Sequence, residues 1–353
     1  MLEAVGHFAL PGGGPLVRQG LTIPAPGAGE VIVAVDACGL CHTDLGYARG
    51  HVAPRHALPL VLGHEIVGRV VEVGEGARWR AGDRVLIPAV MPCGDCAYCR
   101  AGRGNACPKQ KMPGNDIHGG FSSHILVPAA PLVAISADVP ENEYRALSVV
   151  ADAVSTAWQA AVRADLKAGE VAVIIGAGGV GGFLVQIARA LGAHVIACDV
   201  SEARLAKIAP FGAAETAKLS GDDVKPLRKQ VTAALTSRGL TGLNLKVFEC
   251  SGHTGGQNSA WSLMAHGSTT LFVGYTVDRL QVRLSNLMAF DATAHGTWGC
   301  PVEAYPAVLE RVTRGEIQIL PFVAEDSMSQ LNACLDAMDA HTLNARMVLR
   351  PDV

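Results

Sequence analysis

The sequence predicts an α/β protein built from a β-rich first domain and a second domain with a parallel sheet. Three observations carry that prediction. The 353 residues include 40 glycines, and 49% are hydrophobic while only 5% are aromatic. That mix suits closely packed strands and helices rather than an aromatic-rich sandwich. Up to about residue 150, apolar runs such as 31–35 and 66–73 alternate with Gly and Pro turns, as short strands joined by loops do. From about 151 the texture becomes strand, glycine turn, helix, strand, which is a βαβ unit. At roughly 100 to 200 residues per domain the length supports two domains. The expected boundaries are 1–150, 151–297 and a C-terminal piece, 298–353, that returns to the first domain.

Several function classes are excluded at this level. With 29 Lys+Arg against 32 Asp+Glu the formal charge is −3, without the basic excess of a nucleic-acid binder. The start, Met1-Leu2-Glu3-Ala4-Val5, has neither the basic residues nor the apolar run of a signal peptide, so a cytoplasmic protein is expected. The apolar stretch 171–188 contains five glycines and Gln186, with Arg189 next. A strand, turn and helix fit it better than a membrane span.

In chain order, the first chemical signal is Cys41-His42-Thr43-Asp44, followed by Gly63-His64-Glu65. Each is weak alone, but together with one later ligand they supply the three protein groups of a catalytic zinc, leaving a fourth position open. Asp152 is an acidic residue in the apolar run 149–153; a buried carboxylate needs a partner. A metal serves, and so does a helix N-terminus. Between them, Cys93, Cys96, Cys99 and Cys107 form C-x2-C-x2-C-x7-C in a Gly- and Pro-rich loop. Four thiolates at that spacing close a tetrahedron around a structural Zn²⁺; an iron–sulfur cluster takes the same four ligands.

The fingerprint Gly176-Ala177-Gly178-Gly179-Val180-Gly181 follows an apolar strand and opens a helix, the context in which G-x-G-x-x-G cradles a dinucleotide pyrophosphate. Asp199 ends the next strand, where its carboxylate can accept both adenosine ribose hydroxyls and repel a 2′-phosphate, so NAD is expected over NADP. Arg204 either flanks that ribose or lies on a solvated helix face. Segments 246–250 and 270–273 read as further strands of the same sheet.

Together these motifs, in this order over essentially the whole chain, resemble the zinc-containing medium-chain alcohol dehydrogenase superfamily. The resemblance implies a GroES-like catalytic domain, a doubly wound Rossmann domain, and a cleft between them for cofactor and substrate. It assigns Cys41, His64 and Asp152 to catalytic zinc, with Glu65 behind them or as an alternate ligand, and the four-cysteine loop to a second zinc. Thr43 matches the hydroxyl that contacts the substrate oxygen; His42 and Arg346 match cofactor-phosphate contacts, and Val273 joins the cofactor set. Where many members carry a proton-relaying His, this sequence has Gly46; His51 or ordered water takes over, or the glycine makes room for a bulky substrate.

A narrower likeness, to dehydrogenases of cyclic hydroxyacyl-CoA thioesters in anaerobic benzoyl-CoA degradation, lies in segments 56–60, 90–94, 112–117, 248–252 and 282–290. It implies an acyl-CoA alcohol as substrate; Arg49, Arg55, Lys109 and Lys111, in the loops near the two zinc motifs, are either cations for its phosphates or ordinary solvated charges. A free-alcohol or polyol dehydrogenase, an enoyl-CoA reductase and a non-catalytic zinc- and nucleotide-binding protein are the competing expectations. The resemblance also implies a dimer or tetramer.

Overall fold

The computed structural model describes residues 1–220 and 223–352. Their contacts fall into two compact units. One holds Met1–Ser155, Gly299–Thr313 and the chain from Ile319; the other holds Thr156–Trp298 and Arg314–Gln318.

In the first unit the strand Glu30–Gly39 organises a seven-stranded sheet. Val31, Ile32 and Val33 are wholly buried, each contributing about 1.5–3 kcal/mol of apolar transfer. One edge of this strand pairs with Glu65–Val73 along its length. The other edge pairs first with His124–Pro128 and then, at Cys38 and Gly39, with Arg346–Arg350. Register shifts at Ile32/Val33 and Val35/Ala37 bend it, which is how one strand serves two partners in succession on the same edge. The C-terminal strand Arg346–Arg350 thereby reaches the chain just ahead of Cys41. A smaller sheet orders Val17–Ile23, Leu2–Ala9 and Leu60–Val61.

The second unit carries a six-stranded sheet, parallel throughout, in the order Glu215–Lys218, His194–Asp199, Val171–Ile175, Leu245–Glu249, Thr269–Phe272, Thr293–Gly296. All five residues of Val171–Ile175 are buried, as a strand covered on both faces requires. The order reverses beside this strand, which places the glycine turn and the end of Leu245–Glu249 at the switch point where doubly wound sheets bind ligands. The expected GroES-like plus Rossmann α/β architecture is thus the observed one. Among the described residues no helix is long and apolar enough to cross a membrane.

Candidate active site

Cys41 caps the short helix His42–Ala48, and three residues on, Asp44 closes a capping box by accepting the Cys41 N–H at 3.0 Å. The second Asp44 oxygen accepts the Gly63 N–H at 3.0 Å and lies 3.3 Å from His64 Nδ1. One fully buried carboxylate therefore ties two separate motifs together. On the far side of the imidazole, Asp152 Oδ2 is 3.5 Å from Nε2 and 3.9 Å from Cys41 Sγ. Thiol, imidazole and carboxylate ligand atoms all lie within 4.8 Å of one another.

These residues fit a zinc ion. His64 is 1% exposed, yet neither ring nitrogen has a hydrogen bond of acceptable geometry, a costly state for a buried polar ring. Burial works against the imidazolium, but Asp44, Asp152 and Cys41 outweigh it and raise the His64 pKa well above its ordinary value. The pocket is therefore short of a cation, and a cysteine, a histidine and a carboxylate satisfy it while leaving a coordination position for substrate. Thr43 Oγ1 stands 3.7 Å from Cys41 Sγ. His51 is exposed on the following turn, its N–H bonded to Gly46 O.

Asp44 is a site residue that the sequence analysis leaves without a role; the C-x-x-D spacing of its capping box is the signal that could have found it. Glu65 is not in the convergent group of Cys41, His64 and Asp152. Its wholly buried carboxylate accepts two hydrogen bonds from Arg346, at 2.7 Å from Nε and 2.6 Å from Nη2, and the Ala153 N–H at 3.0 Å. Glu65 thus braces the residue next to Asp152. Burial pushes the Glu65 pKa up against the opposing pull of Arg346. Two of the three Arg346 guanidinium nitrogens are committed to this pair, and Nη1 has no hydrogen bond among the described residues.

The four cysteines converge separately. Sγ–Sγ distances are 3.5 Å for Cys96–Cys99 and Cys93–Cys107, 3.6 Å for Cys96–Cys107 and 3.9 Å for Cys93–Cys99. Zn–S bonds of about 2.3 Å place tetrahedral sulfurs about 3.8 Å apart, so the cage fits that ion. The backbone N–H of Cys99 holds the Cys96 thiol down at about 6, while the Asp95 carboxylate pushes Cys93 up to about 12. Four thiols this close cannot all ionise without a cation among them. Among the loop's cysteines only Cys107 is buried, so the segment has little apolar core of its own.

In the second unit Gly176 adopts φ +91°, and a Cβ there would lie 2.7 Å from Ser251 N; a Cβ on Gly181 would overlap Gly176 O. Close strand–helix packing therefore requires both glycines. Gly178 caps the helix Gly179–Ala190, of which Val180 is the second residue. Asp199 Oδ2 accepts the Ala177 N–H at 2.8 Å and Oδ1 accepts Ser201 N–H at 2.9 Å, so the acidic residue at the strand end is locked against the glycine turn. Arg204 Nη1 lies 3.8 Å from Asp199 Oδ1 on a half-exposed side chain. Val273 N–H bonds Glu249 O at 2.8 Å, beside the same strand ends. His42 is the first residue of its helix and is exposed.

Two of the four cations considered for the substrate phosphates are ion-paired. Arg49 carries two carboxylates, Asp336 at 2.5 Å and Asp339 at 3.2 Å, and Arg55 faces Asp116 at 3.5 Å. Paired this way, Arg49 has no charge to spare for a phosphate. Lys111 has no ion pair among the described residues.

Residues 27–137 match the alcohol dehydrogenase GroES-like domain, and residues 179–314 match the zinc-binding dehydrogenase family. An alcohol dehydrogenase of Geobacillus stearothermophilus is 31% identical over 326 residues, 91% of each chain. The chain belongs to the zinc-type medium-chain alcohol dehydrogenase superfamily. Among solved structures, an alcohol dehydrogenase from Thermotoga maritima matches this dehydrogenase with TM-score 0.88 at 25% identity over 100% of both chains. Acetophenone reductase from Geotrichum candidum, in complex with NAD, matches with TM-score 0.85 at 26% identity, over 99% of this chain and 97% of its own. The protein is accordingly a zinc- and NAD-dependent oxidoreductase of the alcohol dehydrogenase type, acting on a small molecule.

Proposed function

We propose that this dehydrogenase oxidises the ring alcohol of 6-hydroxycyclohex-1-ene-1-carbonyl-CoA to the conjugated 6-oxo thioester. The alcohol carbon loses a hydride to NAD⁺ and the hydroxyl loses a proton, giving ketone, NADH and H⁺. The convergence of Cys41, His64 and Asp152 within 4.8 Å carries the reaction type. The five segments resembling cyclic hydroxyacyl-CoA dehydrogenases support the substrate.

Zinc, when bound, supplies a Lewis acid that lowers the pKa of an alcohol, and NAD supplies the hydride acceptor. Cys41, His64 and Asp152 would hold the metal, with Asp44 Oδ1 facing His64 Nδ1 at 3.3 Å behind them. The Thr43 hydroxyl, beside Cys41, accepts the alcohol proton and passes it on. Gly46 offers no side chain to continue that path, so water or His51 continues it. Gly176, Gly178, Gly179, Val180 and Gly181 present backbone N–H groups to the pyrophosphate, Asp199 takes the ribose hydroxyls with Arg204 at its flank, and His42, Val273 and Arg346 Nη1 complete the cofactor contacts. Cys93, Cys96, Cys99 and Cys107 hold a second zinc, two per chain in all.

Lys111 is the cation that best fits the CoA end, since it is exposed and lines a cavity of about 290 Å³ with His56, His118 and His124. In an NAD-coupled absorbance assay, kcat/KM for the cyclic hydroxyacyl-CoA is expected to exceed that for the CoA-free alcohol by about 100-fold or more, the reach of a few good charge-assisted contacts. Lys111→Glu is expected to raise KM for the thioester and leave KM for NAD unchanged. Equal turnover of both alcohols refutes the acyl-CoA reading in favour of a general alcohol dehydrogenase, the reading that relatives named alcohol dehydrogenases favour.

We also infer a homo-oligomer joined through the second unit, where the apolar side chains Tyr275, Val277, Leu284 and Met288 are 59–78% exposed. Sedimentation at the monomer mass, 36.7 kDa, across micromolar concentrations refutes it.

A further inference from the structure

Glu249 ends the strand Leu245–Glu249 with its side chain wholly buried, an expensive place for a carboxylate. One oxygen, Oε1, accepts three hydrogen bonds from the turn that follows: Ser251 N–H at 2.7 Å, Gly252 N–H at 3.1 Å, and the Ser251 hydroxyl. The Glu249 backbone carbonyl accepts the N–H groups of Val273 at 2.8 Å and Gly274 at 3.0 Å, which follow the neighbouring strand. A single residue therefore gathers the turns leaving two adjacent strands.

The surroundings are shaped to admit that carboxylate. A Cβ on Gly274 would stand 2.8 Å from Glu249 Oε2 and would overlap Gly252 N; a Cβ on Gly256 would overlap Ser251 Oγ. The turn so held also abuts the glycine fingerprint, because the Cβ position of Gly176 is 2.7 Å from Ser251 N. Glu249 Oε2 itself has no hydrogen-bond partner among the described residues. Burial raises the Glu249 pKa, while Ser251 and Gly252 pull it back. Nothing in the core of the sheet needs a charge here; the carboxylate's bonds all go to the strand-end turns where open α/β sheets bind their ligands.

We propose that Glu249 is a positioning residue for the dinucleotide: its carboxylate clamps the turn at 251–252 against the Gly176 turn, beside the 273–274 turn that its backbone carbonyl holds, and so sets the ledge on which NAD rests. Replacing the carboxylate by an amide keeps the size, weakens the bonds to Ser251 and Gly252, and buries an NH₂ with no acceptor beside Gly274. The clamp loosens and the cofactor pays the reordering when it binds.

The inference rests on the fingerprint 176–181 being the NAD site. The test is equilibrium NADH binding by nucleotide fluorescence, together with steady-state kinetics, on the zinc-loaded enzyme and on Glu249→Gln. The expected result is a roughly tenfold rise in both NADH Kd and KM for NAD, with kcat at saturating NAD and KM for the alcohol unchanged. Ser251→Ala, at an exposed position, removes one of the three donors and is expected to shift NADH Kd two- to threefold the same way, which keeps the test open should Glu249→Gln fold poorly. Unchanged Kd in both variants, or a parallel fall of kcat and both KM values with loss of thermal stability, overturns the clamp. Failure of the unsubstituted enzyme to bind NADH overturns the fingerprint reading and the clamp with it.

Discussion

His64→Ala is expected to lower kcat/KM by about 10³-fold or more, equivalent to about 4 kcal/mol of transition-state stabilisation. The substitution takes out the only imidazole among the three convergent ligand atoms, leaving a thiol and a carboxylate that cannot hold zinc in place on their own. The backbone around the site is expected to survive, because Asp44 still accepts the Cys41 and Gly63 N–H groups from within its capping box. Metal analysis is therefore expected to fall from two zinc ions per chain to one, with the Cys93–Cys107 cage keeping its own. A variant that retained two ions and a rate within tenfold of the parent would sink the assignment of this cluster as the catalytic centre.

Arg346→Leu is expected to destabilise the catalytic unit by about 3–5 kcal/mol, the usual consequence of stripping one partner from a buried ion pair. The Glu65 side chain is 0% and the Arg346 side chain 9% exposed, and their two hydrogen bonds are 2.6 and 2.7 Å long. Without the guanidinium, Glu65 is a lone carboxylate in the interior with only the Ala153 N–H to satisfy it. A second substitution, Glu65→Met, is expected to restore most of the loss, since a well-packed apolar pair of similar volume is often no worse than the ions it replaces. Urea unfolding of the single and double variants measures both effects. A single variant within 1 kcal/mol of the parent would show that the pair is solvated in solution. Because Glu65 holds the residue after Asp152, zinc affinity is expected to fall in the single variant as well.

Local chemistry was legible in the sequence where its physics is local. The glycine fingerprint announces itself because the turn, the phosphate approach and the strand–helix packing are made by residues within six positions of one another. The four cysteines are legible for the same reason: one short loop can wrap one ion. The parallel sheet follows from apolar runs of strand length punctuated by glycine and helix. Charge was the least legible feature, since a phosphate contact and a solvated surface charge look alike in sequence and the carboxylate partners of Arg49 lie up to 290 residues away.

Hydrophobic period and motif spacing act over a few residues, and they were enough to announce the two kinds of domain, the glycine-rich turn and the metal-ligating groups of this chain. Which distant groups meet came from the folded molecule: Cys41, His64 and Asp152 converge, Asp44 lies 3.3 Å from the imidazole, Glu65 is occupied by Arg346 281 positions later, and Glu249 bonds the turns after two strands. Those contacts depend on which strands become neighbours and on how a bent central strand distributes its partners. Such long-range pairings are set by the packing of the whole sheet and leave no periodic trace along the chain.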